Sequence, residues 1–254
     1  PAGLLPDLSP QAQEPETELA DRSRGRAGGQ QGVSPGSRPG PRRLRREFFA
    51  RPTLEVAQDL IGRRLVRVRR GRRLSGRIVE VEAYVGETDT ACHGRSGPTP
   101  RNRVLFGAPG LAYVYFTYGM HHLLNLVTET EGFPSAVLLR ALEPEEGVER
   151  MTRLREQHVR RSGDRAAPAR RRATWLAGGP ARLCRALQVD LRLNGYDVVE
   201  EERLFLEEGE PPGHRRIART PRIGIEYAET RDRQAPWRYA LRECPCLSRP
   251  LAEG

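Results

Sequence analysis

Residues 78–85 alternate without a break: Val79, Val81, Ala83 and Val85 fall on one parity, Ile78, Glu80, Glu82 and Tyr84 on the other. A period of two sends successive side chains to opposite faces of an extended chain, so this stretch predicts a β-strand. One face would bury in a core while the other presents two carboxylates and a phenol. Acidic side chains are mostly solvated, so a half-buried strand with glutamates in water is the plainest expectation. Any fold for this chain has to be built around that strand.

The neighbouring patterns extend it into a sheet. Residues 64–70 predict a strand, with Arg70-Gly71-Arg72 turning it back into the central one. Residues 111–118 alternate again, Tyr113, Tyr115 and Thr117 on one face and Val114, Phe116 and Tyr118 on the other. Gly119 permits a turn, residues 121–127 run back, and residues 135–142 form a further strand with Arg140 inside an apolar run. Between the central strand and residue 111 lies a polar, glycine- and proline-rich loop carrying His93 and Thr99-Pro100-Arg101-Asn102-Arg103.

Helices are fewer. Thr53 is the expected N-cap of a helix whose Leu54, Val56, Ala57, Leu60 and Ile61 recur at helical spacing and which Gly62 stops. Pro144, Glu145 and Glu146 are expected to open a second, with Val148, Met151 and Leu154 or Arg155 as its buried stripe. Residues 157–173 predict a mobile basic loop, and Gly178-Gly179-Pro180 leads into a short helix. Short strands are expected over 204–206, 222–225 and 237–241. Strands and helices do not alternate, which predicts an α+β domain with a curved antiparallel sheet flanked by helices. Residues 1–43, rich in Pro, Gly, Ser, Gln and Ala, predict a disordered tail; the domain is expected over 44–248 and a short tail over 249–254.

With 254 residues, 37% hydrophobic and of mean hydropathy -0.65, the chain has room for one such domain. Its net charge is +10 and its pI near 10.2, and all 43 basic residues are arginine. A strongly basic domain points to a polyanion, most often nucleic acid. Cys92, Cys184, Cys244 and Cys246 are scattered and without metal-ligand spacing, which predicts reduced thiols and no metal. Neither an apolar leader nor an 18-residue apolar run occurs, so a soluble protein that is not exported and has no membrane partner is expected.

Gly-Arg-Ile-Val-Glu-Val-Glu-Ala-Tyr, His93, Thr-Pro-Arg-Asn, Tyr-Val-Tyr-Phe-Thr-Tyr-Gly-Met, Asn125 and Leu-Leu-Arg-Ala-Leu-Glu-Pro together resemble the alkyladenine (3-methyladenine) DNA glycosylase family. The likeness runs from about Phe48 to Leu247 in the family's order, and is closer to bacterial than to vertebrate members. It implies a monomeric single-domain enzyme, with no metal or cofactor, that excises alkylated or deaminated purines from double-stranded DNA. It would work at the nucleoid in the cytoplasm of a bacterium, or in a eukaryotic nucleus.

The resemblance also implies roles. Glu82 matches the family's catalytic base, Arg140 the arginine that helps hold the water, and the Ile223 carbonyl a third partner of that water. Tyr84, Tyr115, His93 and Asn125 match the base pocket: tyrosine faces stack on cationic alkylpurines, and the asparagine crowds guanine's exocyclic amine. Tyr118 matches the intercalating residue of a protruding DNA-inserting β-hairpin, with Met120 and His121 beside it at the minor groove. Arg101, Arg103 and Arg182, the last at the helix after Pro180, are expected at phosphates. Glu80 is expected to be structural, paired with an arginine.

Composition adds one inference of its own. Glycosylases that also nick the strand use an amine to form a Schiff base, and a chain without lysine offers none outside its N-terminus. Base removal should therefore stop at the abasic site. Two rivals stand beside this reading. A non-catalytic module would bind damaged DNA with Glu82 merely structural, and a metal-dependent nuclease would use Cys92, His93, His121 and His122, which lack ligand spacing.

Overall fold

The computed structural model of the protein describes residues 42–162 and 174–251. The tail expected over 1–43, apart from its last two residues, lies outside the described residues, as do residues 163–173 of the loop expected over 157–173. Arg43 makes a backbone bridge to Glu207, so ordered pairing starts inside the stretch assigned to that tail.

The molecule is a curled antiparallel sheet with helices packed on it, a mixed α+β architecture. Strand β1 (Arg64–Arg69) turns through Arg70 (φ 50°) and Gly71 (φ 69°) into the long β2 (Arg72–Val85). Both turn residues are left-handed, which matches the twist of a two-residue hairpin. The hairpin β3 (Leu111–Thr117) and β4 (His121–Val127) follows, then β5 (Ser135–Glu146). Short strands complete the sheet: β6 (Tyr196–Asp197), β7 (Leu204–Glu207), β8 (Ile217–Thr220) and β9 (Arg238–Leu241). The order is β6-β3-β4-β5-β2-β1-β7, with β9 joining β2 beyond the end of β1 and β8 pairing β9.

β2 is central in the full sense. One edge pairs with β5 along its length; the other pairs first with β1 (Arg69↔Arg72 to Arg64↔Arg77), then with β9 (Glu80↔Ala240 to Glu82↔Arg238). The half-buried strand expected from the alternation is thus corrected. Ile78, Glu80 and Glu82 are as fully buried as Val79, Val81 and Ala83, because the polar face is roofed by Arg140 and by the chain around Ile223 and Ser248. The β2–β5 register slips on both sides of Glu80: Ile78 faces Leu142, Glu80 faces Ala141, and Val81 faces Leu139. Val79 and Arg140 are the unpaired residues of this bulge, a device that re-aims a side chain.

The helices are α1 (Arg46–Phe49), α2 (Thr53–Leu60), α3 (Val148–Ser162), α4 (Thr174–Ala177), α5 (Pro180–Leu187) and α6 (Thr230–Gln234). α2 buries Val56, Ala57 and Leu60, and α5 buries Leu183, Cys184, Ala186 and Leu187, all in one hydrophobic core. Several expectations are corrected. Thr53 is the first helical residue, not the cap, and its hydroxyl bonds Thr128 and Glu129. Pro144 to Glu146 continue β5 instead of opening a helix, because Glu143, Glu145 and Glu146 pair with Arg77, Arg64 and Arg73 across the sheet. The turn comes at Gly147 (φ 73°), and α3 runs on past 157 to Ser162. Residues 222–225 are no strand, since Ile223 spends its N–H on Glu82. Among the described residues no helix is long and apolar enough to cross a membrane.

Candidate active site

The bulge delivers Arg140 between the two glutamates of β2. Its Nε donates to Glu80 Oε1 at 2.9 Å and one terminal nitrogen donates to Glu82 Oε2 at 3.1 Å. Its other terminal nitrogen donates to Ser248 Oγ at 3.1 Å. Glu80 also accepts from Arg238 (2.8 Å) and from the Ser248 hydroxyl (2.6 Å) and amide (2.5 Å). That carboxylate is saturated, and its pairing with arginine is as expected.

Glu82 is placed differently. Oε1 accepts the Ile223 N–H at 2.7 Å, and Oε2 accepts the Tyr84 hydroxyl at 3.0 Å beside Arg140. A carboxylate has about four acceptor sites, so three protein donors leave one for a further proton donor. The surroundings push the two acids apart. Burial raises the Glu82 carboxyl above the usual range against the opposing pull of Arg140 and the Ile223 amide. Burial also acts on Glu80, but Arg140, Arg238 and Ser248 outweigh it and hold that carboxyl below its ordinary value. Two neighbouring carboxyls with divergent acidities are a mark of acid–base sites. Burial and the Glu82 charge keep the Tyr84 phenol protonated, so it remains a donor.

A cavity of about 780 Å³ opens beside this cluster, lined among others by Tyr84, His93, Tyr115, Asn125, Arg140 and Ile223. The expected base-pocket residues therefore share one chamber with the expected catalytic group, Glu82 itself lying just behind its wall with no exposed surface. Such a volume fits a small ligand. The His93 ring meets Tyr115 edge-on, centroids 4.6 Å apart, and its Nδ1 bonds the Tyr113 hydroxyl at 3.1 Å. Burial and the nearby Arg101 lower the His93 pKa, leaving a neutral imidazole at pH 7. Asn125 is buried, its amide donating to the Tyr113 carbonyl at 3.1 Å, so its carbonyl oxygen is the end not bound there.

The β3–β4 turn lies at the rim. Tyr118 takes the left-handed conformation (φ 51°) with 83% of its surface exposed, and Met120 is 58% exposed. Tyr118 therefore does not share the core with Val114, despite their common parity. A bulky residue at positive φ costs roughly 1 kcal/mol or more. His121 also lines the cavity and hydrogen bonds Arg185 of α5, which holds the Met120 carbonyl as well. Of the expected phosphate-binding arginines, Arg101 and Arg182 line the cavity; Arg101 sits 5.9 Å from the Tyr115 centroid, and Arg182 bonds the Gly178 carbonyl at 3.1 Å. Arg103 is exposed but stands away from the cavity lining.

Sequence reasoning missed the supports. Arg222 is buried between Tyr84 and Trp237, 4.7 and 4.9 Å from their ring centroids, and forks onto Asp89 at 2.6 and 2.8 Å. It also holds the Ala83 carbonyl at 2.9 Å, so it touches the residue after Glu82 while preceding the one that donates to it. Asn102 pins the His93 loop through the carbonyls of His93 (2.8 Å) and Gly97 (3.0 Å). Among the described residues no cluster of His, Cys, Asp and Glu could hold a metal.

Residues 47–245 match the family model for methylpurine-DNA glycosylase. The chain belongs to this family. A Methanocella arvoryzae protein provisionally named 3-methyladenine DNA glycosylase is 48% identical over 206 residues, 81% of this chain and 96% of that protein. Proteins of the same provisional name from Chlorobium luteolum and Alkaliphilus oremlandii are 43% and 41% identical over 208 residues each. They cover 82% of this chain and 97% and 99% of their own lengths. The matched residues 47–245 span every strand of the sheet and most of the cavity lining, with Ser248 and Arg249 of that lining just beyond.

Proposed function

We propose that this protein excises alkylated and deaminated purines from double-stranded DNA by hydrolysing the N-glycosidic bond, and stops at the abasic site. The observation that carries this reading is the buried Glu82, tied to Arg140, Tyr84 and the Ile223 amide at the edge of an aromatic cavity, in a chain of this family.

A base inside the stack is out of reach, so the nucleotide has to swing out, and the vacated space has to be filled. Tyr118 at its exposed turn is suited to fill it, with Met120 and His121 beside it along the minor groove. The extruded purine then enters the cavity against Tyr84, Tyr115 and His93. Electron-rich tyrosine faces favour the cationic rings of alkylpurines, and Asn125 disfavours guanine by crowding its exocyclic amine. Arg101, Arg103 and Arg182 supply charge for the flanking phosphates.

Glu82 takes a proton from water as the water oxygen bonds to the anomeric carbon; the bond to the purine nitrogen breaks and its electron pair leaves with the base. The negative charge of Glu82 stabilises the cationic sugar in the transition state. A carboxyl raised by burial is the better base near neutrality, while Arg140 keeps it from being protonated outright. Arg140 and the Ile223 backbone orient the water. Because the chain has no lysine, no side-chain amine is present to trap the sugar as a Schiff base.

Duplexes with single defined lesions, incubated with the protein in EDTA and scored with and without alkali, test the reading. Free base with scission only after alkali is the expected result. Scission without alkali refutes monofunctional action, and unaltered DNA refutes the glycosylase.

A further inference from the structure

A second concavity, of about 400 Å³, lies at the opposite end of β2 and is walled by Arg69, Arg70, Arg72, Arg150 and Arg153, with Leu74 and Gln188 completing it. Tyr84 borders the first cavity and Arg72 the second. Twelve residues of strand separate them, roughly 40 Å along β2. α5 connects the two by a shorter path, with Pro180 at one cavity and Gln188 at the other, about 12 Å along its axis.

The electrostatics of this place are unusual for the molecule. Several arginines of the sheet are matched: Arg64 with Glu145, Arg73 with Glu146 and Glu207, Arg77 with Glu143. The five in this concavity form no ion pair or side-chain hydrogen bond with any described residue. The β1–β2 turn sets Arg69 and Arg72 directly across the hairpin from each other, with Arg70 between them. Arg150 and Arg153 share one face of α3, three residues apart and within its first two turns. Cations are disfavoured at that positive end of a helix. Like charges gathered in a hollow, one of them in the first turn of a helix, are relieved by an anion. Arginine forks fit phosphate oxygens in pairs.

We infer that this hollow binds the phosphodiester backbone of DNA at a site separate from the base-excision cavity. The inference rests on the proposed function only for the identity of the polyanion. Its phosphates come either from the flank of the duplex held at the cavity, which the span of α5 permits, or from a second duplex.

The test compares two full-length variants with equal change in charge: Arg72→Glu/Arg150→Glu/Arg153→Glu in the hollow, and Arg215→Glu/Arg216→Glu/Arg242→Glu on exposed surface elsewhere. Affinity for an undamaged duplex is followed from about 50 to 200 mM salt, where each lost phosphate contact flattens the log–log slope by about 0.9. The hollow variant should flatten it by about 2 to 3, the control by less than about 1. A milder Arg→Gln set at the same three positions should flatten the slope in the same direction, and melting curves check that each variant is folded. Equal shifts in both charge-reversed variants, or none in the hollow variant, overturn the inference. So does a change in binding of inorganic phosphate without a change in DNA binding. A deficit that disappears on a lesion duplex too short to leave the cavity assigns the phosphates to the flank; one that appears as lost capture of an added undamaged duplex assigns them to a second segment. Single-turnover base release at saturating enzyme should stay within about twofold of the parent in the hollow variant. If the parent itself releases no base, the proposed function has failed, and the salt slopes still decide this inference.

Discussion

Replacing Arg140 by methionine removes the guanidinium that joins the two glutamates while keeping an unbranched side chain. Deleting one partner of a buried ion pair typically costs about 3 to 5 kcal/mol, because the other charge is stranded. Here neither acid is stranded. Glu80 keeps Arg238 and both Ser248 donors, and Glu82 keeps the Tyr84 hydroxyl and the Ile223 amide. The loss in urea unfolding should therefore fall at the low end, about 3 kcal/mol.

The larger effect is on the pH profile. An opposite charge in contact lowers a carboxyl pKa by about 1 to 3 units, so its removal lets burial raise Glu82 further by that amount. A base works ionised, and activity falls as pH drops through its folded pKa. The acid limb of single-turnover base release should thus move upward by about 1 to 3 units in the variant. Below the limb the rate falls about tenfold per unit, and raising the pH restores part of it. Stability runs with opposite signs at the two acids. The raised Glu82 favours the folded state below its unfolded pKa and ceases to do so as pH rises through its folded value. The lowered Glu80 contributes above its unfolded pKa and stops as pH falls through its folded value. An acid limb at the same pH in parent and variant would refute the coupling of Arg140 to Glu82.

Arg222→Met, which breaks the bidentate pair with Asp89 and the bond to the Ala83 carbonyl, should cost about 3 to 5 kcal/mol of stability and slow base release. Asp89→Asn combined with it should cost less than the sum, read as a coupling energy in a double-mutant cycle. Tyr118→Ala should change stability by no more than about 0.5 kcal/mol, since 83% of its surface is exposed, yet slow release from duplex more than from single strands; equal slowing on both would remove the wedge. Asp232 is held at about 2, where hydrogen bonds from Thr90 overcome its burial. Asp232→Asn should therefore destabilise the protein at pH 7, the difference vanishing as pH falls through about 2.

The sheet and the site were legible to different depths. Strands β2 and β3 follow from period-two patterning, and β1 and β4 from the turns at Arg70-Gly71 and Gly119 that fold them back, because local geometry dictates both. Burial of Glu80 and Glu82 was not legible: it depends on a bulge at Arg140 and on Ser248, 168 residues from Glu80. The β5 extension through Pro144 was hidden for a similar reason. Local signals favour a helix start at Pro-Glu-Glu, and cross-strand arginines override them. Tyr118 could be read as core by parity, but that face of β3 already leaves the core at Phe116, and the left-handed turn carries Tyr118 further out. The Arg222–Asp89 pair spans 133 positions and leaves no trace in spacing. What the motifs carried was most of the residues around one cavity, Arg103 and Met120 falling outside its lining; what they omitted was the layer that holds those residues still.

The central claim is that one buried carboxylate activates the water that releases the base. Glu82→Gln, purified and shown to melt within a few degrees of the parent, should bind a lesion duplex about as tightly while releasing alkylpurine at least about 100-fold more slowly in a single turnover. Release at the parental rate by that folded variant would contradict the claim outright.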